Sequence, residues 1–508
     1  MATILKSFGL SGVDAYIVDV EVKSIHGQPI ISIVGLGDAS IKEARDRVEA
    51  AITDSQFTFP DKKIVINLAP SNIRKTGSHY DLPIAIGVII ESGQLECDDL
   101  NSFAFIGELS LNAQLRKGQG ILPMVIAARD ADIKKVIVPY ENVAEARLIK
   151  HMTIYGFKYF NDVIYFLKGD LPYCEMFEEE IEQPPNDFHL DFKEVKGQNA
   201  LIEYLVVAAA GGHNLMMIGP PGCGKSMIAK RLPSILPEMT FEESLEVTKV
   251  YSITGKNHKN ALISQRPFRA PHHNASTNAL IGCGIHATPG EISLAHHGVL
   301  FLDEMAEFNK KALEALRQPL EDSEVTISRV HSSNRYPAKF ILIGAMNPCP
   351  CGYYGQNKCE CSPNEILKYR HKLSGPIMDR MDIQKYVYPV EFLSLQKYGT
   401  SPDSPSLKKR VEEARTIQNN RFKNIKEVSC NAQMSNKHIE AFCQIDEDGK
   451  ALLERAFRKL HFSARTYHKY LKVARTFADL AGSTNIRKID IASALQARDL
   501  EKDEHKLF

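Results

Sequence analysis

Short apolar runs bounded by turn residues recur through the first third of the chain. IISIVGL (30–36), KIVINLAP (63–70), FAFIGELSL (103–111) and KKVIVPY (134–140) each predict a buried strand. Between them, SIKEARDRVEAAI (40–52) and ILPMVIAARDA (121–131) carry the 3.6-residue spacing of helices. Residues 1–170 therefore predict a mixed α/β domain. The stretch at 171–188 is acidic, carries the proline pair Pro184–Pro185 and has no clean period, which predicts a linker.

From about residue 190 the pattern becomes helix, strand, loop, helix: ALIEYLVVAAAGG (200–212), NLMMIGPPGCGKS (214–226) and MIAKRLPSIL (227–236). GVLFLDE (298–304) and FILIGAMN (340–347) are two further apolar strands ending in polar residues, where an open α/β sheet places its ligand chemistry. This second α/β unit is expected over 189–395. Beyond it, 396–508 read as nearly all helical, with KKRVEEARTIQNNRF, KALLERAFRKL and YHKYLKVARTFADLAG as helices. A soft boundary falls at GTSPDSPS (399–406).

Composition changes little. The formal net charge of zero argues against a protein that coats nucleic acid over its whole surface, but leaves room for local basic loops. No run reaches the roughly eighteen apolar residues of a membrane helix, and the N-terminus lacks the pattern of a secretion signal. A cytoplasmic protein with no membrane partner is the expectation. Four of the ten cysteines crowd into one short loop, so the thiols do not suggest a disulfide scaffold.

The chemistry gathers at the strand ends. GPPGCGKS, residues Gly219, Pro220, Pro221, Gly222, Cys223, Gly224, Lys225 and Ser226, follows a strand and opens a helix, the context that a phosphate-binding P-loop needs. Its glycines let backbone N–H groups turn toward phosphate oxygens. Lys225 would reach the β- and γ-phosphates of ATP, and Ser226 would ligate Mg²⁺. Asp303 is expected in the Mg²⁺ shell, and Glu304 as the base that deprotonates the attacking water. Asn347, at the end of its strand, is placed to touch the γ-phosphate or that water. Cys349, Cys351, Cys359 and Cys361 offer the donor set of a tetrahedral Zn²⁺ site; free thiols in a reducing cytosol are the alternative.

Longer segments add a resemblance. RPFRAPHH (266–273), PGEISLAHHGVLFLDE (289–304), LRQPLED (316–322), AMNPCPCGYYG (345–355), LSGPIMDRMD (373–382) and FSARTYHKYLKVARTFADL (462–480) resemble the AAA+ ATPases of the magnesium-chelatase type. They are closest to the ComM/YifB branch of competence proteins, and the N-terminal segments at 34–52, 67–87 and 106–112 fit as well. The resemblance implies an N-terminal Lon-protease-like domain (the ribosomal S5 domain 2-like fold), a central AAA+ domain and a helical lid. It further implies a homohexameric motor that drives branch migration on DNA, single-stranded and branched, in transformation and recombination, with a recombinase as a further partner. By the same analogy Arg380 is an arginine finger acting in trans and Arg465 is a sensor 2. In the Lon pattern a Lys should stand near Leu122, and Ser78 has no evident base, so that domain is expected to be catalytically inactive.

DNA contacts are expected in TGKNHKNALISQRPFRAPHHNAS (254–276), through Lys256, Lys259, Arg266, Arg269, His272 and His273. A second set is expected in a hairpin at 323–339 bearing Arg329 and Arg335, with Phe268 and Tyr336 available for base stacking. Interface or structural roles are the alternative for each. A metallochelatase-type remodelling ATPase, an ATP-dependent protease and a protein-remodelling chaperone remain competing readings of the whole.

Overall fold

The alternation DAYIVDVEV that follows the first turn decides the N-terminal architecture. In this computed structural model Thr3–Ser11 (β1) and Asp14–Ile25 (β2) form a hairpin, joined at Gly12, whose φ is +63°. Val18, Val20 and Val22 all point inward, as the two-residue period of a strand requires. The structure describes residues 2–97, 99–173, 190–257, 262–283, 287–329, 332–390, 401–425, 428–460 and 463–500. The predicted linker therefore lies almost entirely outside the described residues, as does Lys259.

Further strands join that hairpin: Ile30–Val34 (β3), Lys63–Ala69 (β4) and Phe103–Phe105 (β5). After a small hairpin of Glu108–Leu109 (β6) with Leu115–Arg116 (β7) come Lys135–Pro139 (β8) and Thr153–Phe157 (β9). The sheet order is β3-β4-β2-β1-β5-β8-β9, antiparallel at β1–β2 and β2–β4 and parallel elsewhere. Helix Asp81–Glu91 is apolar almost all round and sits against one face, while Ile121–Asp130 covers the other.

The second sheet is fully parallel. Leu215–Ile218 (β10), Phe268–Arg269 (β11), Val299–Leu302 (β14), Ile341–Met346 (β17) and Ile383–Tyr386 (β18) are ordered β11-β14-β17-β10-β18. Two hairpins extend from it: Gly282–Cys283 (β12) with Thr288–Pro289 (β13), and Glu324–Arg329 (β15) with Ser332–Pro337 (β16). β10, β14 and β17 read as unbroken apolar runs because cores form on both of their faces. One of those cores continues into the C-terminal helices. Leu205 of helix Asn199–Gly211 shares it with Val411 and Ala474, from helices Ser404–Phe422 and Ala464–Leu480.

The N-terminal sheet also touches this unit. Leu245 packs against the core beneath helix Ile121–Asp130, Gly120 N–H donates to Ser252 O at 3.2 Å, and Lys249 pairs with Asp14 at 3.3 Å. No helix among the described residues is long and apolar enough to cross a membrane.

Candidate nucleotide site

β10 lies between β17 and β18, both parallel to it and both later in sequence, so the order of the strands reverses there. Such a switch point opens a crevice at the carboxyl ends of the strands. Gly219–Ser226 fills it. Gly222 and Gly224 adopt φ values of +78° and +88°, which an L side chain resists, and the helix begins at Lys225. An added Cβ at Gly219 would lie 2.4 Å from Val387 O, so glycine is required there for space. The ammonium of Lys225 is folded into the loop, donating to Gly219 O at 2.6 Å and Pro220 O at 2.9 Å; Cys223 Sγ lies 3.7 Å away.

The acids arrive on β14. Ser226 Oγ donates to Asp303 Oδ2 at 2.5 Å, which joins the two residues expected to share Mg²⁺. Glu304 takes φ +50°, an uncommon conformation for a non-glycine residue, and its own N–H donates to Asp303 Oδ1 at 3.0 Å. Its carboxylate meets His273 Nδ1 at 3.0 Å. The sequence pointed His273 toward DNA or the core; the structure places it on the candidate base instead. The pairing register offered a signal: Arg269 lies opposite Leu300, and His273 and Glu304 each lie four residues further on.

Asn347 directly follows β17, whose last residue, Met346, accepts from Gly219 N–H at 3.2 Å. The phosphate loop and Asn347 thus leave the sheet side by side. The cysteine loop comes next. Cys349 Sγ lies 3.3 Å from Cys351 Sγ and 3.9 Å from Cys359 Sγ; Cys351 and Cys359 are 3.7 Å apart, and Cys361 completes the cluster. Four sulfurs around a tetrahedral zinc at about 2.3 Å stand about 3.8 Å from one another, so the donor set and its spacing both fit. A disulfide needs about 2.05 Å, and all four thiols are free.

Arg380 and Arg465 are brought to each other rather than to the phosphate loop. Both guanidinium groups contact Glu321, Arg465 at 3.2 Å, and both line a wide cleft with Lys469, Lys472 and Asp382 that no phosphate-loop residue lines. The Arg380 side chain is only 8 % exposed; Nη1 donates to Pro376 O at 2.6 Å, and Nε has no partner among the described residues. Burial lowers its pKa from the usual arginine value.

Several expected DNA contacts prove to be structural. Arg266 donates to Pro237 O, His297 O and Glu243, and Arg269 forms a two-pronged pair with Glu291. Phe268 stacks on Phe301, and Tyr336 is buried with its hydroxyl on Ala287 O at 2.7 Å, so neither ring is free for a base. Their strand positions face the core, an orientation that aromatic content could not reveal. Arg335 remains exposed on the hairpin, and Lys256 is half-exposed, 4.0 Å from Glu291.

His296 and His297 share Glu246 at 3.0 and 2.8 Å. His296 Nδ1 accepts the Lys339 N–H at 3.1 Å, so its Nε2 carries the proton toward Glu246 and has no lone pair for a metal. In the N-terminal unit, Leu122 of helix Ile121–Asp130 is wholly buried, and Ser78 donates its hydroxyl to Glu108.

A glycine-rich turn between a buried strand and a helix, met by an acid pair from the same parallel sheet, defines a P-loop ATPase fold of the AAA+ class. The family model "Magnesium chelatase, subunit ChlI" matches residues 191–395, "Subunit ChlI of Mg-chelatase" matches 20–142, and the ChlI C-terminal model matches 401–498. Competence protein ComM of Haemophilus influenzae is 41% identical over 508 residues, 99% of each chain. YifB of Salmonella typhimurium is 38% identical over 492 residues, 97% of this chain and 96% of its own. The chain belongs to the magnesium-chelatase-like AAA+ family, in the branch that holds ComM and YifB.

Proposed function

We propose that this protein is a cytoplasmic, homohexameric DNA motor that hydrolyses ATP to migrate branches and extend heteroduplex in transformation and recombination. The observation that carries the ATPase half is the joined set Ser226–Asp303–Glu304–His273 beneath the phosphate loop. Support for the DNA half comes from the likeness to a competence protein along 99% of both chains, and from the exposed Arg335 on the β15–β16 hairpin.

In this reading Lys225 exchanges its two carbonyl partners for phosphate oxygens, and Ser226 and Asp303 hold Mg²⁺. The ion, when bound, neutralises charge between the β- and γ-phosphates. Glu304 takes the proton of the attacking water, with Asn347 orienting that water. His273 competes for the Glu304 carboxylate and restrains it. Arg380 and Arg465 face a cleft that their own phosphate loop does not line, so they serve the nucleotide of a neighbouring copy. The four cysteines hold zinc, the N-terminal sheet is a non-catalytic scaffold, and a recombinase delivers the strands.

The magnesium-chelatase family models favour a second reading, an ATPase that remodels a metallochelatase or another protein partner. Labelled three-strand and four-way DNA junctions separate the two. With ATP and Mg²⁺ the protein should move the branch, and Lys225→Ala and Glu304→Gln should not. Hydrolysis without any strand movement by the unaltered protein would end the DNA-motor reading.

A further inference from the structure

Residues 348–362, between Asn347 and helix Pro363–Arg370, form neither helix nor strand. Loops longer than about 12–15 residues without structure of their own are uncommon in compact domains and tend to be functional. This one is held by a few turn hydrogen bonds: Gly352 N–H to Cys349 O, Gln356 N–H to Tyr353 O and Cys359 N–H to Gln356 O. It nevertheless presses on the nucleotide site. Gly352, at φ +86°, is so close that an added Cβ would lie 3.0 Å from Pro221 Cδ and 4.0 Å from Asn347 Cγ. The phosphate loop, Asn347 and the turn through Cys349 and Cys351 are therefore one packed contact.

The far side of the loop is tied to the same place. Tyr354 donates its N–H to Cys349 Sγ at 3.2 Å, and its ring lies under the Arg370 guanidinium at 5.1 Å. Arg370 in turn donates to Tyr386 OH at 2.8 Å. Tyr386 ends β18 directly opposite Ile218, the last residue before the phosphate loop. The sulfur cluster sits at the centre of this arrangement, and a metal bound there would fix the loop, because metal binding at such sites supplies ordering free energy directly.

We propose that a thiophilic divalent metal on Cys349, Cys351, Cys359 and Cys361 is a positioning clamp for the nucleotide site. It holds Gly352 against Pro221 and so sets both the phosphate loop and Asn347. ATP turnover then depends on this second metal as well as on Mg²⁺. The cysteines are positioning residues: they touch no substrate. The inference rests on the ATPase and zinc readings above.

The test compares the full-length protein as purified, the same protein stripped of zinc by a chelator and returned to Mg²⁺, and the variants Cys351→Ser and Gly352→Ala. Zinc content, far-UV circular dichroism, binding of a fluorescent ATP analogue and steady-state hydrolysis are measured on each. One zinc per chain is expected in the unaltered protein. Stripping should leave the helical signal in place, weaken binding of the analogue and lower turnover, by about 10–100-fold for activity as with other supporting shells. Added zinc should restore the stripped protein but not Cys351→Ser. Gly352→Ala should keep its zinc and still lose turnover, since its Cβ pushes on Pro221.

Folded, zinc-free protein that binds the analogue and hydrolyses ATP like the zinc-loaded form would overturn the clamp. Absence of zinc from the purified protein, with none taken up on addition, would overturn the metal itself. Zinc-loaded protein that binds ATP without hydrolysing it would defeat the ATPase reading alone; the clamp would then be judged by whether stripping weakens nucleotide binding.

Discussion

His273 and Glu304 are thirty-one positions apart, and their side chains meet at 3.0 Å. A carboxylate occupied by an imidazole must let it go before it can take a proton from water. Replacing His273 with Ala should raise hydrolysis in the absence of DNA and shrink the stimulation that DNA gives; a fall in both rates would mean that His273 assists catalysis instead. Glu304→Gln should lower turnover by about 10²–10⁴-fold while nucleotide binding persists, the usual signature of a lost general base. Two other histidines control stability. Burial depresses His79 and His296 from 6.5 to about 4. Each then favours the fold while neutral: its contribution is full above pH 6.5 and is lost as pH falls through about 4. Thermal unfolding should show a melting temperature that drops across that window. His79→Asn should flatten the slope, and an unchanged slope would show that His79 is not buried neutral.

At the scale of elements, legibility followed locality. GPPGCGKS, the strand Val299–Leu302 and its acid pair were readable because each lies within one short apolar run and its end. The hairpin of 323–339 was readable too, but which of its faces is buried was not. Tyr336 turned inward to Ala287, a partner set by the β12–β13 turn rather than by any neighbour in sequence. Tyr336→Phe should cost about 1 kcal/mol, the typical price of one buried hydrogen bond, and chemical denaturation would measure it. The first hairpin, β1–β2, was missed although VDVEV alternates cleanly, because its apolar positions are separated by charges rather than gathered in a run. The meeting of Arg380 with Arg465 on Glu321 had no sequence mark at all, since it depends on how the C-terminal helices pack against the parallel sheet.

The whole molecule joins a nucleotide crevice on one side of the parallel sheet to an arginine-lined cleft elsewhere on the same chain. A closed ring of identical copies would bring the cleft of one to the crevice of the next. Two dead variants should then rescue each other. Mixing Arg380→Ala with Glu304→Gln under conditions that allow subunits to exchange should restore hydrolysis toward about a quarter of normal, the random share of intact heterologous interfaces. No recovery in demonstrably mixed assemblies would mean that Arg380 serves its own chain. The central claim, an ATPase coupled to DNA through the Lys225 loop, is tested most directly by one rate. Steady-state ATP hydrolysis by the purified protein with Mg²⁺ is measured with and without branched DNA, beside Lys225→Ala. The account predicts hydrolysis that DNA stimulates and that Lys225→Ala abolishes; a rate indifferent to DNA but raised by an unfolded protein would contradict it.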